Sequence, residues 1–406
     1  MRKTARKLVM VGVLGGLLAL AGCGGGEKGS WYEPGAAPPG TPSPSPVANV
    51  TVSAPADGAT NVTTATELTL SKADPGVTVA VAGPDGAAVP GALSADGATW
   101  VPGAQLKYAT AYKVTVTTPQ KAEPVTTSFT TMAKPGKTTS VNTPLADGKT
   151  YGVALPIVLN FGSAVPQDQR ANVEKRLRVT SEPAQLGTWH WFSGTEVHYR
   201  PKEYWQSGTK ISVRAAIGGL PMGNNAYGSK DLTWNATIGD KIVMVTDDAT
   251  HHMTVYQNDQ EIRQIPISLG KASTPSSSGA MVVMEKNRQE IFKSTDPSDP
   301  YEEEVEWTQR LTWGGEYLHS APWSVGDQGK RNVSHGCTNM SESNATWLWN
   351  LTKIGDPVTV KGTPRELKWG NGWTDWNRSW EEYLKGSALP APAAPAASPS
   401  SPAPAN

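Results

Sequence analysis

Between residues 48 and 136 apolar and polar side chains alternate in short runs, among them Asn49-Val50-Thr51-Val52, Glu67-Leu68-Thr69-Leu70, Val77-Thr78-Val79-Ala80-Val81 and Tyr112-Lys113-Val114-Thr115-Val116. A period of two predicts strands with one buried face. Pro84-Asp85-Gly86 and Ala95-Asp96-Gly97 lie between the runs and carry turn chemistry. Short strands separated by frequent turns predict a β-sandwich. Residues 137–238 repeat the pattern more loosely.

The two stretches share a register. Trp100, Pro102, Thr110, Tyr112 and Val114 are matched by Tyr199, Pro201, Thr209, Ile211 and Val213 at one constant offset. That regularity points to two copies of one immunoglobulin-like module, 48–136 and 137–238. A third region covers 239–362, where Ile242-Val243-Met244-Val245, His252-Met253-Thr254-Val255-Tyr256 and Glu261-Ile262-Arg263-Gln264-Ile265 read as strands. Asn258-Asp259 turns between the last two. In 363–387, Trp369, Trp373, Trp376 and Trp380 follow, and the last three have helical spacing. They predict a short helix with one aromatic face, packed onto the third region or the second module. The predicted fold class is therefore mainly β: two immunoglobulin-like sandwiches, a β-rich domain and a short helical C-terminal segment. Residues 388–406 are Pro, Ala and Ser with little else and read as a disordered tail.

The start of the chain changes the picture of where the protein works. Arg2, Lys3, Arg6 and Lys7 precede an apolar run from Leu8 to Ala21, the layout of an export signal over residues 1–22. Leu20-Ala21-Gly22-Cys23 resembles the bacterial lipobox, which implies a lipid on Cys23 and an extracytoplasmic, membrane-anchored protein facing the cell wall. Residues 23–47 are rich in Gly, Pro and Ser and read as a tether. The whole chain balances 36 basic against 36 acidic residues; without the signal the count is 32 against 36, a net of about −4. No basic face for a nucleic acid is indicated.

Cys23 and Cys337 are the two cysteines of the chain. With Cys23 lipidated, Cys337 is left as a free thiol in an oxidising compartment, where such a thiol is either buried or employed. Its surroundings favour employment: His319-Ser320-Ala321-Pro322-Trp323 and then Ser334-His335-Gly336-Cys337-Thr338-Asn339. A cysteine attacks carbonyls as thiolate, so it needs a base and donors for the developing oxyanion. His319, 18 residues upstream, can meet the thiol from a neighbouring strand, whereas His335 is too close in sequence to reach it readily. Gly336 allows close backbone approach by a substrate. His251-His252 lacks the carboxylate or cysteine partners of a metal site, and His190 and His198 read as packing or surface residues.

These residues resemble the L,D-transpeptidase (YkuD-type) family, whose signature is His-Ser followed by Ser-His-Gly-Cys-x-Asn. The resemblance extends to Thr274-Pro275 through Gly279, to Trp323, and to the order of lipobox, two modules, catalytic domain and Trp-bearing tail. It implies Cys337 as the acylated nucleophile, His319 as general base and the Ser320 carbonyl as the group orienting its imidazole. It further implies an oxyanion pocket of His335, Gly336 and Cys337, with Tyr301, Gly314, Gly315 and Asn339 contacting the donor stem peptide. The expected partners are peptidoglycan stem peptides as donor and acceptor. The expected reaction releases a terminal D-Ala and forms a 3→3 cross-link, with no metal or cofactor. The acidic stretch from Phe292 to Trp313, holding Glu302, Glu303, Glu304 and Glu306, reads as a loop suited to a lid. An L,D-carboxypeptidase using water as acceptor, and a wall-binding lipoprotein with an inactive domain, remain the alternatives at this level.

Overall fold

The computed structural model describes residues 49–392 apart from 95, 120–122, 295, 296, 298 and 299. The residues read above as an export signal, as the lipidated Cys23 and as a tether, together with the tail beyond 392, lie outside the described residues.

Residues 50–132 form a sandwich of two four-stranded sheets. One runs Val52–Ala54, Leu68–Leu70, Thr99–Pro102, Gly91–Leu93, and the other Ala59–Val62, Val125–Thr131, Ala111–Thr117, Thr78–Ala82. Val50, Leu68, Trp100, Tyr112, Val114 and Phe129 fill the space between them. The next sandwich has the same plan: Val141–Asn142, Ile157–Phe161, Glu196–Pro201, Gly187–Trp191 against Lys149–Tyr151, Leu232–Ile238, Lys210–Ala215, Leu177–Glu182. Strand for strand the orders correspond. Trp100 and Pro102 therefore sit where Tyr199 and Pro201 sit, and Tyr112 and Val114 where Ile211 and Val213 sit. Even the glycines facing the rings match: a Cβ on Gly91 would lie 2.1 Å from the Trp100 indole, and one on Gly187 2.3 Å from Tyr199. The constant offset in the sequence is a structural repeat.

The sandwiches meet through Glu67, which accepts from both Arg176 and Arg178, and through Thr64 Oγ1 donating to Gly218 O at 2.9 Å.

The described residues of the third region form two sheets, one α-helix and a short 3-10 turn at Pro322–Ser324. A six-stranded sheet runs Gln260–Pro266, His252–Gln257, Ile242–Asp247, Pro357–Lys361, Ser277–Val282, Arg365–Glu366. Asn258 and Asp259 both have positive φ (50° and 68°), as a two-residue hairpin turn requires. A four-stranded sheet runs Glu285–Lys293, Glu302–Arg310, Tyr317–Ser320, Thr338–Met340. Helix Glu342–Leu351, its start capped by the Ser341 hydroxyl, contributes Ala345 and Leu348 to the core shared by the two sheets. The region docks on the second sandwich by backbone bonds, Gly152 N to Ile354 O and Ala154 N to Gly355 O, both 2.8 Å.

Two expectations need correction. The stretch from Phe292 to Trp313 is not a loop, because Glu302–Arg310 is a strand paired antiparallel with Glu285–Lys293. Its glutamates are stabilised across the ladder: Glu302 by Lys293 at 3.0 Å, Glu306 by Arg288 at 3.1 Å, and Glu304 by the Gln289 amide. Nor do the tail tryptophans share one helix. Asp375–Asn377 is a single tight turn, and a separate helix, Trp380–Leu384, starts at a Ser379–Glu382 capping box. Trp373 is buried with the second sandwich's core, Trp376 Nε1 donates to Ala154 O at 2.8 Å, and Trp380 lies under Arg200. Packing against the second module stays bonded as far as Ala388, whose amide donates to Glu174.

Candidate active site

Strands Tyr317–Ser320 and Thr338–Met340 pair in parallel, with Leu318 beside Thr338, His319 beside Asn339 and Ser320 beside Met340. Side chains alternate along a strand, so Tyr317 and His319 share a face with Cys337 and Asn339. The face opens into a cavity of about 250 Å³ lined by His319, Cys337, Asn339, Tyr301, Trp323 and residues of the Glu302–Arg310 hairpin. Thiol and imidazole thus belong to one cavity.

The turn before the nucleophile is held from behind. Ser334 Oγ donates to Cys337 O at 2.6 Å and accepts from Gly336 N at 3.1 Å. Ser276 Oγ donates to Gly336 O at 2.7 Å. Gly336 has φ +128°, a conformation that side chains avoid. Next to the turn, buried Glu316 accepts from Ser277 N and Oγ and pairs with Arg365.

His319 is 4% exposed. Its Nδ1 lies 2.8 Å from Ser320 O, and a carbonyl only accepts, so Nδ1 carries the proton and Nε2 the lone pair. Burial pushes its pKa down to about 4, against the raising effect of the Ser320 bond, so the ring is neutral at pH 7. Cys337 is half-buried, and its thiol donates to Gly315 O at 3.5 Å. Burial pushes the thiol up to about 12, with Glu316 and Glu290 adding to the rise and the Tyr317 amide opposing it. Base and nucleophile therefore rest as a neutral pair.

Residues 59–221 match the model of a bacterial Ig domain, and residues 241–360 that of the L,D-transpeptidase catalytic domain. L,D-transpeptidase 2 of Mycobacterium tuberculosis is 33% identical over 342 residues, covering 82% of this chain and 83% of that protein. L,D-transpeptidase 5 of the same organism is 36% identical over 354 residues, 84% of this chain and 77% of that one. The chain belongs to the L,D-transpeptidase family. It is an enzyme, and the work of its family is peptidoglycan cross-linking on stem peptides. L,D-transpeptidase 1 of M. tuberculosis, 36% identical over 223 residues, matches 53% of this chain and 82% of its own length.

The remaining sequence-predicted residues of the transpeptidase are distributed unevenly. Tyr301 and Asn339 line the cavity, and Asn339 Nδ2 donates to Ser324 Oγ at 3.2 Å. His335 lines its rim, with its ring 4.7 Å from that of Tyr301 and its Nε2 accepting from Lys271 Nζ at 3.0 Å. Gly315 meets the thiol through its carbonyl, but Gly314 is turned to the C-terminal segment, its amide donating to Asn371 Oδ1 at 2.8 Å. Neither glycine lines the cavity. Among the described residues no cluster of His, Cys, Asp and Glu is arranged to hold a metal. His251 is in a turn (φ 55°) and bonds Asn332, and His252 bonds the Thr250 carbonyl. Sequence reasoning missed Ser276, Glu316 and Phe292. Ser276 lay within the Thr274–Gly279 segment and could have been found there. Phe292, edge-on to His319 with ring centroids 5.5 Å apart, carried no signal.

Proposed function

We propose that the transpeptidase works through a thioester on Cys337 and makes 3→3 cross-links. His319 Nε2 accepts the thiol proton as sulfur attacks the carbonyl of the third stem residue. The C–S bond forms, the C–N bond to the terminal D-Ala breaks, and the proton passes from His319 to the departing amine. An amine of a second stem then takes the acyl group. The observation that carries this reading is the pair itself: a neutral imidazole with its lone pair on Nε2, sharing a cavity and a strand face with the single free thiol among the described residues.

The neutral rest state fits an enzyme whose thiol is activated only when substrate excludes water from the cavity. For the oxyanion, the Gly336 amide is already engaged by Ser334, so the reading relies on the amide of Cys337 itself. Lipidation at Cys23 and an extracytoplasmic position facing the wall belong to the same proposal, with the two sandwiches as the spacer between membrane and catalytic domain. It is tested by incubation with a carbapenem and intact mass spectrometry. One adduct, mapped to Cys337 and missing in Cys337→Ala, supports the acyl-enzyme; an unmodified mass on folded protein contradicts it.

A further inference from the structure

Resting on the acyl-enzyme reading above, we propose that Glu303 binds the ammonium group of the acceptor stem and thereby directs the Cys337 thioester to an amine in preference to water. Strand Glu302–Arg310 carries four glutamates, and three are accounted for by partners across the hairpin: Lys293 for Glu302, Gln289 for Glu304 and Arg288 for Glu306. Glu303 has no such partner among the described residues. Alternation turns it the other way, and with Tyr301 and Val305 it lines the cavity that holds Cys337 and His319. Directly opposite it in the ladder stands Phe292, which lines the same cavity and lies edge-on to the His319 ring. Side chains directly opposite in an antiparallel pair are neighbours, so the carboxylate is one ring away from the base. Among the described residues it is the one carboxylate lining the cavity.

The chemistry gives that carboxylate a task. An acceptor amine reaches the enzyme as an ammonium ion and must displace water, which competes for the same thioester at far higher concentration. A lone carboxylate at the cavity wall holds the cation and raises its local concentration. His319, neutral again once the D-Ala amine has taken the thiol proton, then accepts one proton from the ammonium at Nε2. The neutral amine attacks the thioester carbonyl; the C–N bond forms and the C–S bond breaks. The second amine proton goes to the departing sulfur and restores the thiol, and His319 releases the proton it took up to solvent, which regenerates the neutral base.

The test uses the whole protein and Glu303→Gln, with two readouts. The first is acylation of Cys337 by a β-lactam that carries no amine; the second is the ratio of cross-linked dimer to hydrolysed tripeptide formed from a tetrapeptide stem. Acylation is expected to be unchanged while the ratio falls about fivefold, the reach of an exposed charge pair, and recovers as acceptor concentration is raised. Glu304→Gln, on the opposite face, is expected to leave the ratio as it was. A ratio unmoved by Glu303→Gln overturns the proposal, and so does a parallel fall in both readouts, which marks general damage to the cavity. A native enzyme that acylates yet yields tripeptide alone also overturns it while leaving the acyl-enzyme standing. A native enzyme that does not acylate brings down the acyl-enzyme reading first.

Discussion

The Cys337 thiol donates its hydrogen to the Gly315 carbonyl at 3.5 Å, so at rest the proton of the nucleophile is held by backbone and not by the base. With the thiol pushed up to about 12 and His319 down to about 4, no thiolate–imidazolium pair exists before substrate arrives. This differs from cysteine enzymes whose thiol is ionised in advance.

Labelling by iodoacetamide should therefore be slow. A thiol near 12 has, at neutral pH, about three thousandfold less thiolate than an ordinary cysteine near 8.5. The rate is expected to climb about tenfold per pH unit through pH 10. Fast labelling, flat between pH 6 and 8, would instead reveal a preformed ion pair.

His319→Gln should slow acylation by a carbapenem about 10²–10⁴-fold, while the melting temperature moves little. In the native protein, acylation is expected to persist down to about pH 5 and to fail as the pH drops through the His319 value of about 4, where the lone pair is lost. Stopped-flow acylation over that range checks both halves. Inactivation centred near pH 6.5 would mean that burial does not depress this imidazole.

Gly336→Ala has room for its methyl, the nearest atoms being 3.9 Å away, but not the backbone freedom for φ +128°. Strain of about 1–3 kcal/mol should be relieved by rotation of the turn that Ser334 and Ser276 hold. Acylation is expected to fall by about 10²-fold, the scale of one lost oxyanion donor, with the fold retained by circular dichroism. Acylation at the native rate would show that the turn's geometry is not required.

The C-terminal clasp makes a prediction of its own. Buried His198 has Nδ1 3.0 Å from Asp375 Oδ1 and Nε2 2.8 Å from Glu196 Oε1, and Arg200 stacks on Trp376 and Tyr383 beside it. Burial alone would lower the imidazole, but the Asp375 charge and its hydrogen bonds raise it to about 9. A raised pKa contributes stability that is complete below 6.5 and is lost as the pH rises through 9. His198→Gln should cost about 3–5 kcal/mol in urea unfolding, with the largest loss at or below neutral pH. An unchanged midpoint would exclude the ion pair as the clasp.

Much of this was legible in the residues. Alternation located the sandwich strands, and the repeat was visible because Trp100 and Tyr199, or Val114 and Val213, must fill equivalent places between equivalent sheets. The site was legible because the thiol and its base lie in two short segments on adjacent strands. What failed depended on partners far away. Glu302–Arg310 lacks a hydrophobic alternation at its start and is a strand by pairing with Glu285–Lys293, from which Lys293, Gln289 and Arg288 reach its glutamates. The tail tryptophans had helical spacing, yet each found a different partner, and the Ser379–Glu382 capping box that starts a new helix was there to be read. Nothing local could link His198 to Asp375, 177 residues on.

The most direct measurement is to give the purified enzyme a disaccharide-tetrapeptide and follow the products by mass spectrometry. A dimer that has lost one D-Ala, made by the native enzyme and not by Cys337→Ala or His319→Gln, is the predicted result. Dimer formation that survives Cys337→Ala, or no turnover by folded native protein, would contradict the account.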